Sequence, residues 1–315
     1  MKKLEICVQT EHWLDATNPE ESIRFIKECG FESLDYNINQ CYNDTFDKEH
    51  LTSMFERSLE ELYAYYKPLK EAANKYGITF SLFHGVFPMY YAGEDARNEH
   101  LIEVTEKMFA VAEYLECKYV VVHPWSGPDL HKEEEKEVNL KLYRRLIPAA
   151  KKYGVTICLE NLFKHYDLDC FSAACSNAEE LCLYIDTLNA EADEELFGVC
   201  FDVGHAHVTT ENIYQYLTTV GKRLKTLHIH DNNGLSDSHM IPYTQMDRTG
   251  RRLSINWEHF IRGLKEIEYE GALSFETFRA VDMLPEEIQK DGLRFIAAIG
   301  RYFRRRISLS SEYGE

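Results

Sequence analysis

The sequence predicts a single (β/α)8 barrel over residues 1–315, and three observations carry the prediction. Eight short β-rich runs alternate with long amphipathic segments along the whole chain. Six of those runs end in an acid or a histidine. No Pro/Gly/Ser-rich linker or shift in composition divides the chain into domains. Parallel strands need crossover helices, and eight strands close a sheet on itself. A doubly wound open sheet is the competing arrangement.

In order, the strand runs cover 4–9, 32–38, 78–84, 118–123, 156–161, 198–203, 225–230 and 272–277, each followed by a helix. Residues 96–115 place Leu101, Val104, Met108, Val111, Ala112 and Leu115 at helical spacing. Residues 177–188 open on Asn177, whose side chain suits an N-cap. Lys132-Glu133-Glu134-Glu135-Lys136-Glu137 reads as the solvated first turn of a helix, where acids suit the dipole. Arg301-Tyr302-Phe303-Arg304-Arg305-Arg306 reads as the basic end of the last helix. Three longer irregular stretches, 39–47, 163–176 and 232–256, follow a strand and precede a helix. Loops in that position form the face of a barrel on which pockets are built. Tyr63-Ala64-Tyr65-Tyr66 and Pro88-Met89-Tyr90-Tyr91 read as exposed or half-exposed surface, the second beside the pocket rim.

Composition bounds the partners. A chain with 44% hydrophobic and 28% charged residues buries a sizeable core and is not disordered. Lys plus Arg total 35 against 53 for Asp plus Glu, and the net charge of −18 opposes approach to phosphate backbones or anionic membranes. Nucleic acid and membrane are therefore not expected partners, while aromatic surface helices are compatible with a homo-oligomer. Nine cysteines show no C-x-x-C pair, which fits free thiols in a reducing compartment. The N-terminal residues lack an apolar signal region, and no run approaches the ~18 apolar residues of a membrane span. A cytoplasmic protein is the expectation.

The chemistry is concentrated at strand ends. The runs are Phe80-Ser81-Leu82-Phe83-His84, Val120-Val121-Val122-His123, Thr156-Ile157-Cys158-Leu159-Glu160, Gly198-Val199-Cys200-Phe201-Asp202, Thr226-Leu227-His228-Ile229-His230 and Leu273-Ser274-Phe275-Glu276. Residues two apart on a strand share a face. In the last four runs Ile157 and Leu159, Val199 and Phe201, Leu227 and Ile229, and Leu273 and Phe275 suit packing against outer helices. Glu160, Asp202, His228 and Glu276 then point into the barrel mouth, above the small residues Cys158, Cys200, Thr226 and Ser274. Acids and imidazoles gathered there lose solvation unless a cation sits among them. The oxygen and nitrogen set suits one divalent ion, Mn, Mg, Co or Zn.

Leu159-Glu160-Asn161, Phe201-Asp202-Val203-Gly204-His205, His228-Ile229-His230-Asp231-Asn232-Asn233-Gly234 with Asp237-Ser238-His239, and Phe275-Glu276-Thr277 together resemble the xylose isomerase-like TIM-barrel superfamily. That superfamily holds sugar and sugar-phosphate isomerases and epimerases, and also zinc-dependent apurinic endonucleases. The resemblance implies Glu160, Asp202, His228 and Glu276 as metal ligands. It further implies Glu160 and Glu276 as the catalytic pair on opposite faces of a small carbohydrate, sugar phosphate or cyclitol. A metal bridging two sugar oxygens stabilises an enediolate while the carboxylates move the proton beside the carbonyl. His205 resembles a residue that contacts substrate oxygens. A cyclitol dehydratase shares the proton abstraction and differs only in its leaving group.

The endonuclease branch uses nine ligands for three zinc ions, and His84, His123, Glu160, Asp202, His205, His228, Asp237, His239 and Glu276 match those positions. That branch has His-Leu-Asn-Asp at the seventh strand, where this chain has His228-Ile229-His230-Asp231. Familiar epimerases carry an arginine soon after that histidine, and here Asp231-Asn232-Asn233 stands instead. Arg248, Arg251 and Arg252 in the same loop suit a small anion or a neighbouring subunit. The remaining substrate-binding candidates are Trp125 and Arg279, with Trp13 as a further stacking surface. No Gly-rich phosphate cradle follows the last two strands, which favours an unphosphorylated substrate. A sugar-binding barrel without turnover is the rival outside enzymology.

Overall fold

The computed structural model describes residues 3–38, 54–127, 132–166, 169–246, 249–250 and 253–309. Five strands come first: β1 (Ile6–Gln9), β2 (Ser33–Asn37), β3 (Thr79–His84), β4 (Tyr119–Val121) and β5 (Thr156–Glu160). A hairpin of β6 (Phe163–Tyr166) and β7 (Asp169–Ser172) follows, then β8 (Phe197–Asp202), β9 (Leu224–His228) and β10 (Leu273–Phe275). Apart from the hairpin, neighbouring strands pair in parallel in the order β10-β1-β2-β3-β4-β5-β8-β9. A bridge between Ile229 and Phe275 joins the two ends, with Ile229 N donating to Ser274 O at 2.8 Å and Glu276 N to Ile229 O at 3.1 Å. All eight expected strands are present, and the sheet is a barrel rather than an open doubly wound one.

The alternation of the strand residues explains the closure. Ile6, Val8, Leu34, Tyr36, Ile157, Leu159, Val199, Phe201, Leu227, Ile229, Leu273 and Phe275 belong to the large core between sheet and helices. Inside the barrel, Leu82, Val121, Cys158 and Cys200 form a second, small cluster. Small residues suit that narrow interior, and they leave the layer above them for longer polar side chains.

The helices are α1 (Pro19–Cys29), α2 (Leu59–Tyr76), α3 (Asp95–Tyr114), α4 (Lys132–Tyr153), α5 (Ala178–Ala192), α6 (Val203–Val208), α7 (Ile213–Val220), α8 (Trp257–Glu266), α9 (Phe278–Asp282) and α10 (Glu286–Ser308). Their ends follow local chemistry. Ser58 and Glu61 form a reciprocal capping box on α2, and Asn177 accepts from Glu180 N at 3.1 Å to open α5. Gly30 ends α1 at φ 100°, a left-handed conformation that a Cβ would strain. The acidic run at 132–137 is the first turn of α4, and the basic run at 301–306 lies in the last turns of α10, both as expected.

Three expectations need correction or fall outside the described residues. The stretch 163–176 is not irregular: Phe163–Tyr166 and Asp169–Ser172 pair antiparallel, so β5 is followed by a hairpin before its helix. Tyr66 and Met89, expected at the surface, are buried in the core, where Tyr66 meets Tyr36 edge-on. The loop at 39–47, Cys41 and the arginines Arg248, Arg251 and Arg252 lie outside the described residues. The eight described cysteines are free thiols. Among the described residues no helix is long and apolar enough to cross a membrane.

Candidate active site

Each barrel strand delivers one side chain to the same small volume. Glu160 ends β5, Asp202 ends β8, His228 ends β9, and Glu276 follows β10, and all four are buried. The His228 ring stands between the acids. Its Nδ1 lies 3.1 Å from Glu160 Oε1, 3.6 Å from Glu276 Oε2 and 4.0 Å from Asp202 Oδ2. For metal bonds of about 2.0–2.2 Å, tetrahedral donors lie about 3.4 Å apart, so the four side chains are already near a coordinating arrangement.

Local folding fixes these side chains. Asp202 closes β8 and also caps α6, its Oδ1 accepting from His205 N at 2.7 Å. Asn161 locks the adjacent strand ends together: its Nδ2 donates to Asp202 O and its Oδ1 accepts from Asp202 N, both at 2.8 Å. Side chains that lock neighbouring backbone in this way keep a site within the tolerance that chemistry requires.

The remaining sequence-predicted residues fall around this centre. His123 Nε2 lies 3.0 Å from Glu160 Oε2, and the His84 ring stacks on His228 with centroids 4.8 Å apart. His205 Nδ1 approaches Asn161 O at 2.9 Å and Glu160 Oε1 at 3.3 Å. His239 Nε2 pairs with Asp237 Oδ2 at 2.8 Å, while its Nδ1 faces the backbone oxygen of Glu276 at 3.0 Å. Arg279 is exposed, and its Nη1 donates to Asp237 O at 3.0 Å, bracing the Asp237 loop from outside. Trp125 is half-buried, meets Tyr90 edge-on at 5.1 Å and receives its backbone support from Asn139. Trp13 packs on Phe25 against the core.

Gln9 and Asp35 join the cluster without having been singled out in the sequence, and so does His230, visible there only as the histidine that ends its strand run. Gln9 Nε2 donates to Glu276 Oε1 at 3.5 Å. Asp35 Oδ2 lies 3.4 Å from His228 Nε2 and accepts from Ser274 Oγ at 3.1 Å. His230 Nε2 meets Asp202 Oδ2 at 3.1 Å and Asp237 Oδ1 at 3.4 Å, with its ring stacked on His239 at 4.1 Å. Gly204 makes room for it, since a Cβ there would stand 2.0 Å from His230 Cε1. The signal for Asp35 lay in Ser33-Leu34-Asp35-Tyr36-Asn37-Ile38, whose alternation puts Ser33, Asp35 and Asn37 on one face.

The residues Asp231-Asn232-Asn233 anchor the long loop after β9. Both oxygens of the Asp231 carboxylate accept hydrogen bonds: from Tyr243 N at 2.8 Å and Ile255 N at 3.1 Å, and from Trp257 Nε1 at 3.3 Å. Asn232 ties the same loop to α6 through Gly204 O and His207 Nδ1.

Electrostatics separate the two glutamates. Burial alone would push Glu160 up, but His228 and His123 outweigh it and hold the carboxyl well below its usual range. Glu276 is pushed up to about 7 by burial, against the pull of His228 and His239. Burial opposes charge on His228, yet Cys200, Glu160 and Glu276 hold its pKa well above the usual imidazole value. His84 is driven well below that value by burial and by the neighbouring His228 and His123. Burial raises Asp35. Without a metal, charged imidazole therefore compensates buried carboxylate, and a cation entering the centre would displace protons.

The donor chemistry fits a divalent ion. Glu160, Asp202 and His228 group closely, as do His84, His123 and Glu160, and His230, Asp237 and His239. His84 Nδ1 and His123 Nδ1 are buried without a hydrogen-bond partner. Buried polar atoms left in this state are expensive unless a ligand completes them. A cavity of about 480 Å3 lined by Lys3, Glu5, Tyr119, Lys225 and Tyr269 opens at the opposite end of the strands, away from these groups.

Comparison with known proteins agrees with this architecture. The family model described as xylose isomerase-like TIM barrel matches residues 5–299. An uncharacterized protein of Methanocaldococcus jannaschii is 29% identical over 188 residues; the matched stretch spans 58% of this chain and 58% of that protein. The crystal structure of a D-tagatose 3-epimerase-like protein aligns with TM-score 0.68 and 21% identity, covering 96% of this chain and 98% of its own. A 3-keto-D-glucoside 4-epimerase of E. coli aligns with TM-score 0.68 and 16% identity, covering 94% and 100%. An IolI protein with a bound zinc atom aligns with TM-score 0.64 and 20% identity, covering 99% and 100%. At these identities the structures establish a shared fold.

Proposed function

This chain belongs to the xylose isomerase-like TIM-barrel family, and on that premise we propose that it is a divalent-metal-dependent isomerase or epimerase of a small carbohydrate or cyclitol. The observation that carries the proposal is the pair Glu160 and Glu276. Both face one imidazole nitrogen, at 3.1 and 3.6 Å, and their environments push their pKa values apart, one well below the usual carboxylate range and one up to about 7. Titratable pairs separated in this way mark an acid and a base. Glu160 would accept a proton from the carbon beside a carbonyl, and Glu276 would return one. If the two act from opposite faces of the substrate, that carbon is inverted.

Glu160, Asp202, His228 and Glu276 would hold the ion. When bound, it polarises the carbonyl and stabilises the negative charge that develops on the sugar oxygens. His84, His123, His205, Asp237 and His239 line the same mouth and would donate to or accept from hydroxyls, Trp125 would cover an apolar sugar face, and Arg279 would reach a distal oxygen. The crystallised D-tagatose 3-epimerase-like protein and the 3-keto-D-glucoside 4-epimerase share the fold, which supports a carbohydrate substrate class.

The test is turnover of a panel of ketoses, keto-glycosides and inososes in deuterated water with Mn2+ or Zn2+. Deuterium is expected at the carbon beside the carbonyl, and product formed without deuterium removes the proton-transfer reading. A second reading has its own observation. All nine residues that match a trinuclear centre are gathered, with His84, His123 and Glu160 forming one group that shares Glu160 with Asp202 and His228. Three zinc ions per chain together with cleavage of abasic DNA would establish a phosphoesterase, against the net charge of −18.

A further inference from the structure

We propose that Asp35 is a positioning residue for the metal centre, holding His228 in the tautomer that leaves Nδ1 free for the cation; the inference rests on the metal-dependent reading above. A neutral imidazole has one N–H and one lone pair, so a ligand histidine must be told which nitrogen carries the proton. His228 turns Nδ1 toward Glu160, Glu276 and Asp202, at 3.1, 3.6 and 4.0 Å. Its Nε2, on the other edge of the ring, faces Asp35 Oδ2 at 3.4 Å. The carboxylate is placed to accept Nε2–H, since Nε2 is buried with no other partner, and would so direct the lone pair of Nδ1 into the oxygen set.

The surroundings fix Asp35 for this task. Ser274 Oγ donates to Asp35 Oδ2 at 3.1 Å, and Ser274 lies two residues before Glu276 on the same strand face. The His84 ring lies parallel to His228, tilted by 11°, and prevents it from swinging away. Asp35 and His228 are both fully buried, so water does not compete for Nε2. A carboxylate behind a ligand histidine also raises its basicity and its affinity for metal. Asp35, His84 and His228 are close enough to hold an ion themselves, which makes ligation by Asp35 the rival outcome.

The experiment strips wild type, Asp35→Asn and Ser274→Ala with chelator. Each is titrated with Mn2+ and Zn2+ against a fluorescent chelator, with metal counted per chain by mass spectrometry. The carboxamide of Asp35→Asn can present N–H to Nε2 and so impose the opposite tautomer. Affinity for metal is expected to fall about 10- to 100-fold at unchanged stoichiometry, and saturating metal restores turnover to near wild type. Ser274→Ala, which leaves the carboxylate but loosens it, shows a smaller loss in the same direction. If Asp35→Asn does not fold, Ser274→Ala decides alone, and unchanged affinity there overturns the proposal. A merely structural role lowers the melting temperature of the metal-free protein and leaves the affinity of the folded fraction unchanged, which also overturns it. So does loss of one of two bound ions in Asp35→Asn, because Asp35 is then a ligand. Wild-type protein that binds no divalent ion would overturn the proposed function itself, whereas equal affinities overturn only the role of Asp35.

Discussion

Replacing Glu276 by Gln should abolish turnover and, in metal-free protein above neutral pH, make the fold more stable. The Glu276 carboxyl is buried and its pKa rises from the usual 4.5 to about 7. A group whose folded pKa is raised binds its proton more readily in the native state, so the native state loses stability as pH rises from about 4.5 to about 7. At 1.36 kcal/mol per pKa unit the loss reaches about 3 kcal/mol above pH 7. Gln carries no charge and keeps an oxygen for Gln9 Nε2, now 3.5 Å from Glu276 Oε1. The variant should match wild type near pH 4.5 and exceed it by about 3 kcal/mol at pH 8. For a chain of this size that is a rise in melting temperature of about 4–5 °C. The assay is thermal unfolding of chelator-treated proteins at pH 5, 6, 7 and 8. A gap that does not widen between pH 5 and 8 refutes the argument, because it would mean that the charge on Glu276 is not penalised by burial. Turnover by the variant within a few-fold of wild type would separately remove Glu276 from proton transfer.

Adding Mn2+ or Zn2+ to stripped wild-type protein at about 100 times its Kd should stabilise it by about 2.7 kcal/mol, and Asp202→Asn should lose most of that gain in the same thermal assay. Gly204→Ala should displace the His230 ring, because the new Cβ falls 2.0 Å from His230 Cε1; overpacking of this kind costs about 1–3 kcal/mol, read as a lower urea midpoint at unchanged m. Asn161→Ala strands the buried N–H and C=O of Asp202, each bonded at 2.8 Å; the expected loss is about 1–3 kcal/mol, with weaker metal binding because Asp202 is no longer held.

The barrel was legible because the residues on its outer face are large and apolar while their inner neighbours are small or polar, as in Ile157 and Leu159 around Cys158. Glu160, Asp202 and Glu276 stood out for the same reason, each ending an apolar run, and His228 stood two residues before the end of its own. Asp35 did not, since it sits in mid-strand between Ser33 and Asn37, where a polar face reads equally well as solvent-facing; only closure of the ring places it beneath His228. The hairpin of β6 and β7 carries no apolar alternation, and its two strands pair only with each other. His230 was visible as a strand-end histidine, yet its contact with Asp237 depends on a loop whose course is set by the hydrogen bonds of Asp231, which no local pattern announces.

The ring of strands is not equally strong all the way round. β2 and β3 share a ladder of five residue pairs, whereas β9 and β10 meet through one bridge, Ile229 to Phe275. Next to that bridge stand His228 on one strand and Glu276 on the other, 3.6 Å apart across the joint. An ion held by both would act as a clasp on this joint of the barrel. Amide protons of Ile229 and Glu276 should then exchange faster in stripped protein than those of β2, and slow most when metal is restored. Any parting of those two strand ends would also lengthen the gap between the Glu276 carboxylate and the His228 imidazole.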